Sequence, residues 1–175
     1  MTRQPSGRPE TGEFAPYAQA DLDAVPGDDA IEALRQTARE TVALLSSLDE
    51  ERVAGRTYAA GKWTVKQVVG HLVDDERIFA YRALCIVRGD TRPQAGFDEN
   101  EYMAGVDFES RTMKSLIEEF RIVRAATIAL LEPLSDGEWR RRGIVNGYEA
   151  SVRGLAFHIA GHELHHLRIL RERYF

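Results

Sequence analysis

The chain has 175 residues, 43% apolar and 29% charged, with a formal net charge of −5. That length suits one domain with a single sizeable core, and no stretch reaches the roughly 20 uninterrupted apolar residues of a membrane span. The acidic balance argues against a nucleic-acid surface, which needs clustered Lys and Arg to neutralise phosphate. The local exception, Arg140-Arg141-Arg142, reads as a solvated connection. The N-terminal "MTRQPSGRPETGEF" carries no apolar segment of a secretory signal, and the lone Cys85 has no partner for an internal disulfide. A cytoplasmic location is the expectation.

Residues 1–27 hold four of the six prolines and little periodicity, so they are expected to form an extended tail packing on a domain that occupies residues 28–175. Asp28 or Asp29 can cap a first helix running to about Ser47, with Ile31, Leu34, Ala38, Val42 and Leu45 at three- and four-residue spacing. A capping box, Thr64 to Gln67, opens a long second helix that ends at Gly89. Residues 91–107 mix Gly, Pro and acidic side chains without a clean period and read as a long crossover. Asp107 is expected to cap a third helix reaching about Leu131. Ser135 and Glu138 suggest a short extra turn, Asn146-Gly147 a tight turn, and residues 149–173 the final helix. The pattern predicts an all-α fold: a four-helix bundle with a long crossover between its second and third helices.

All five histidines fall on two of these helices, His71 on the second and His158, His162, His165 and His166 on the fourth. His162-Glu163-Leu164-His165-His166 spells H-E-x-x-H, the pattern in which zinc peptidases bind metal through two histidines one turn apart and activate water with the Glu. The peptidase reading fails on what surrounds it. Nine residues follow His166, too few for the downstream third ligand, and the sequence offers no candidate strands for the sheet such enzymes carry.

The same pair of histidines can still serve a metal site inside a bundle. With His158 at zero on a helical wheel, His162 lies near about 40° and His166 near about 80°, toward an apolar stripe of Val152, Leu155, Ile159 and Leu170 centred near about 100°. His158 and His165 fall at its edge. A site with an open position needs a third protein ligand, and His71 is the histidine available outside the cluster, with Asp74 and Asp75 beside it to orient it or to face solvent. Glu163 falls inside the apolar arc, where a carboxylate must be paired or hydrogen-bonded. It is expected either to pair with an arginine such as Arg77 or Arg82, or to act as a base or ligand-orienting group. Cys85 lies too far along its helix to ligate. Trp63 and Trp139 read as loop anchors. Phe157 and Leu164 give the last helix a second apolar side, suited to a dimer surface or to the N-terminal tail.

Three segments, "GKWTVKQVVGHLVDDERIFAYRALCIVRGD", "GFDENEY" at 96–102 and the closing "HIAGHELHHLRILRERYF", resemble in order the DinB-like superfamily of metal-binding four-helix bundles, which includes bacillithiol transferases and mycothiol-dependent maleylpyruvate isomerases. The resemblance covers about residues 28–175. It implies a divalent metal, zinc or nickel, held by His71, His162 and His166, a small-molecule substrate, and a homodimer. Three reactivities are then expected to compete: S-transfer from a low-molecular-weight thiol, hydrolysis of a small amide or ester by a metal-activated water, and non-catalytic metal binding in a stress-associated dimer. A fourth ligand from His158 would close the site and favour the last.

Overall fold

The computed structural model describes residues 5–175, and among them lie eight α-helices and one two-stranded hairpin. A 3-10 turn, Pro16–Ala18, leads into α1 (Gln19–Ala24); α2 (Ala30–Ser46) and a single turn α3 (Glu50–Val53) follow. Then come α4 (Val65–Val87), α5 (Glu99–Ala104), a 3-10 turn Phe108–Ser110, α6 (Met113–Leu131), α7 (Asp136–Trp139), strands β1 (Arg142–Val145) and β2 (Tyr148–Ser151), and α8 (Val152–Ile169), which ends in a π turn, Leu170–Tyr174. The long helices α2, α4, α6 and α8 form the bundle. Their main interfaces run α2 to α6, α6 to α4, α4 to α8 and α8 to α2, a closed ring of four. No helix among the described residues is long and apolar enough to cross a membrane.

Local chemistry accounts for most boundaries. Asp29 accepts from the Ile31 amide at the start of α2. Thr64 and Gln67 form the reciprocal capping box of α4, with bonds of 2.8 and 3.2 Å, and Gly89 closes that helix with φ of +81°. Ser135 and Glu138 form a second capping box.

Three expectations are corrected. Asp107 caps only the 3-10 turn, and α6 starts later, where Thr112 accepts from the Ser115 amide. Two capping residues five positions apart compete, and the second stands next to the periodic apolar run. The final helix begins at Val152 under Ser151, because Asn146 and Gly147, with φ of +50° and +80°, make a two-residue hairpin turn. Residues 142–151 are therefore strands, in the register Arg142 to Ser151 and Val145 to Tyr148. The third correction lies on α2, where Thr37 and Thr41 are buried while Ala38 and Val42 are only partly so. The two threonines turn inward to bind a buried carboxylate on α8.

The N-terminal segment is not uniformly extended. Residues 16–24 are helical, and α1 packs along α8. Arg8 donates to the carbonyls of Leu22, Val25 and Gly27 at 2.7–2.8 Å. Its guanidinium also lies 5.4 Å from the centre of the Phe157 ring. Glu13 pairs with Arg153 at 2.6 Å and accepts from Arg142 at 3.1 Å. This segment thus covers the second apolar side of the last helix.

The covering is close enough that α8 needs glycine. A Cβ on Gly161 would stand 2.4 Å from the Asp21 carbonyl oxygen, a backbone atom with little freedom to retreat. Gly161→Ala should destabilise the fold by about 1–3 kcal/mol, since overpacking outweighs the gain in helix propensity. Gly137→Ala, where nothing lies within 4 Å, should leave stability unchanged or raise it. Urea denaturation of both variants reads the contrast, and a stabilised Gly161→Ala would show that α1 does not lie tightly on α8.

Candidate metal centre

The site is built where α4 meets α8. His71 meets His162 and His166, Asp75 meets His162 and His158, and Phe79 stacks on His158, so the two helices run antiparallel. Histidines at 158, 162 and 166 recur every fourth residue and share one face of α8. The Nε2 atoms of His71 and His166 each stand 3.1 Å from Nε2 of His162. Among the described residues, these three form the group of His, Cys, Asp or Glu whose ligand atoms converge, all within 4.8 Å of one another. The Trp63 indole lies against them, its centre 4.7 Å from that of His71 and 6.5 Å from that of His166.

For two of the three rings the electrostatics prepare the ligand form. Burial, reinforced by the charge of His162, lowers the His71 pKa to about 4. Burial and the neighbouring His162 and His71 lower that of His166 to about 2, so both rings are neutral at physiological pH. For His162 burial acts downward, but the Asp75 carboxylate, 3.2 Å from its Nδ1, prevails and raises the pKa. Asp75 is correspondingly held below the usual carboxylate range despite its burial, by His162 first and then by His158 and His71. The nearby Asp75 charge favours the tautomer with the proton on Nδ1 of His162, which leaves Nε2 free to face the other two rings.

The donor set fits a divalent metal ion. A single Nε2 has one in-plane position and makes one good hydrogen bond, yet that of His162 faces two nitrogens. One cation at the point of convergence satisfies all three Nε2 atoms. Zinc–imidazole bonds of about 2.0–2.1 Å set two ligands of a tetrahedral ion about 3.3 Å apart, close to the 3.1 Å that separates Nε2 of His162 from those of His71 and His166.

The trio opens on a cavity of about 460 Å³, which receives Tyr17 and Asp21 from the N-terminal segment, Phe97 and Glu99 from the crossover, and Arg82 from α4. The remaining candidates divide. His158 stays outside the trio, stacked on Phe79 at 4.0 Å with its Nε2 3.8 Å from Asp75. His165 faces Asp21 at 3.4 Å and is about a third exposed. Asp75 is buried against His162, rather than orienting the adjacent His71, whereas Asp74 is half-buried and 3.8 Å from Arg77.

Glu163 is not brought to the cavity, and its partner is neither Arg77 nor Arg82. It pairs with Arg124 of α6 at 2.7 Å and accepts from Thr37 and Thr41 of α2. Arg124 also holds Glu76 of α4 at 2.8 Å. One ion network thus ties all four bundle helices together. Burial pushes the Glu163 pKa up, while Arg124 and the two hydroxyls pull against it.

Sequence reasoning missed Tyr17, Asp21 and Arg82 as cavity residues. The first two sit in a proline-rich segment without period, and Arg82 shares the His71 face of α4, about three turns on, a signal that was available.

Fold and site together define a four-helix bundle of crossover topology with a tri-histidine cluster opening on a cavity. The chain belongs to the DinB superfamily, whose family model matches residues 16–170. Among solved structures it is similar to YfiT from Bacillus subtilis, described as a probable metal-dependent hydrolase with an unusual four-helix bundle topology; the identity is 19%, the TM-score 0.73, and 82% of each chain is covered. No curated protein matches significantly.

Proposed function

We propose that this protein is a metal-dependent enzyme acting on a small molecule, with a divalent ion held by His71, His162 and His166. The observation that carries the reading is the convergence of three Nε2 atoms beside a cavity. A divalent ion held by His71, His162 and His166 would supply a Lewis acid able to lower the pKa of a water or thiol ligand toward neutral pH.

The chain's own residues do the rest. Asp75 fixes the ring orientation of His162, Trp63 packs over His71 and His166, and Phe79 and Phe97 keep part of the wall apolar. His158 stacks on Phe79 outside the trio, so the protein would supply three ligands to a bound ion, which supports an open, reactive site over a closed structural one. Hydrolysis of a small amide or ester is supported by the description of YfiT. S-transfer from a low-molecular-weight thiol suits the same open position and the sequence resemblance.

Elemental analysis followed by cobalt substitution tests the reading. A hydrolase should turn over simple esters or amides without added thiol and stop on chelation. A transferase should stay silent until a thiol is supplied, and the thiol should bring up a new thiolate-to-cobalt absorption band. A protein that takes up no divalent metal from zinc, nickel or cobalt solutions would sink both.

A further inference from the structure

Four cationic side chains are buried among the described residues: Lys66, Arg82, Arg124 and Arg153. Three have carboxylate partners: Lys66 has Glu50, Arg124 has Glu76 and Glu163, and Arg153 has Glu13. Arg82 has none. Its guanidinium donates to the Ala95 carbonyl at 2.7 Å and lies over two aromatic rings, 4.7 Å from the centre of Phe79 and 5.6 Å from that of Phe97. Burial lowers its pKa, with Asp75 opposing only at a distance, whereas those of Arg124 and Arg153 are raised by their partners. None of its nitrogens is both sealed from solvent and unpaired, so the spare donors open on cavity space where an anion can meet them.

Arg82 lines the cavity of the histidine trio and also the adjoining one under the crossover. On α4 it follows His71 by eleven residues, about 16 Å along the axis, on nearly the same face. The cation and the trio therefore sit at different points of one cavity.

We propose that Arg82 anchors a carboxylate on the small molecule that occupies this cavity. A planar carboxylate matches the fork of a guanidinium set against the Phe79 and Phe97 rings. A single negative charge also balances best, because Asp21, Asp75 and Glu99 already stand in the wall and part of the Arg82 fork serves Ala95. A phosphate dianion would bring more charge than one partly engaged arginine offsets. The inference rests on the functional reading only in taking this cavity as the substrate site; the recognition itself needs no metal.

The test uses the full chain as purified, its metal content measured on the same sample, and again after chelation. Benzoate and benzamide, of nearly equal shape, are titrated by calorimetry, and inorganic phosphate is added as competitor. Benzoate should bind at least about tenfold more tightly than benzamide in both samples. Arg82→Gln should abolish that preference while leaving benzamide affinity and metal content unchanged, and Arg82→Lys should keep part of it. Equal affinities in the unmodified protein would overturn the proposal without reference to any variant, so a poorly folding Arg82→Gln does not shield it. So would a preference that survives in Arg82→Gln, or phosphate displacing benzoate at lower concentration than benzoate itself needs. Metal uptake with no benzoate preference would remove the anchor and keep the metal centre; the reverse would keep the anchor alone.

Discussion

His71→Ala and His166→Ala should each abolish stoichiometric binding of zinc or nickel, while His165→Ala should leave it intact. The geometry makes the contrast sharp. His71 and His166 each place Nε2 3.1 Å from that of His162, so removing either leaves two imidazoles, too few for a stable site with an open position. His165 is the immediate neighbour of His166 in sequence, yet it turns to Asp21 and solvent. Asp75→Asn should fall between these, with affinity weakened about 10–100-fold, because it loosens the orientation of a ligand without removing one. Elemental analysis of dialysed protein and competition with a chromophoric chelator measure the series. Equal losses in His71→Ala, His166→Ala and His165→Ala would show that the histidines support folding rather than a centre.

How much of this could be read beforehand depends on how local each determinant is. The capping boxes at Thr64 and Ser135 are written within four residues, and the apolar periods of α2, α4, α6 and α8 within twenty, so the bundle was legible. The hairpin was not, although its turn was: strands of four residues carry two inward positions each, too few to compete with the helical pattern that follows. The trio was legible in part from a wheel, since His162 and His166 are separated by one turn; His71 entered as the histidine left outside the cluster and through the resemblance, and the packing of α4 on α8 brings it to them. The choices of Asp75 for His162, and of Arg124 for Glu163, are tertiary. Arg77 and Arg82 were equally plausible partners for that carboxylate from spacing alone. What decided the matter is which guanidinium α6 carries into the bundle centre and which threonines α2 turns toward it.

That network yields the second large effect. Arg124 is buried, and its removal leaves Glu76 on α4 and Glu163 on α8 facing each other with no cation between them. Breaking a buried ion pair in this way costs about 3–5 kcal/mol, which for a chain of this size lowers the melting temperature by roughly 6–20 °C. Arg124→Ala is expected to show a loss in that range. Glu163→Gln keeps a side chain able to bond Thr37 and Thr41 and removes one charge, so its loss should be smaller. Both variants, assayed well below their melting temperatures, should still bind one equivalent of metal, because neither residue lines the cavity. This separates the two meanings of the H-E-x-x-H spelling. If Glu163 acted as the base of a hydrolase, Glu163→Gln would lose turnover with stability nearly intact; if it is a strut of the four-helix network, stability falls and the chemistry at the trio survives. The position of its carboxylate, held by three donors from α2 and α6, supports the second outcome.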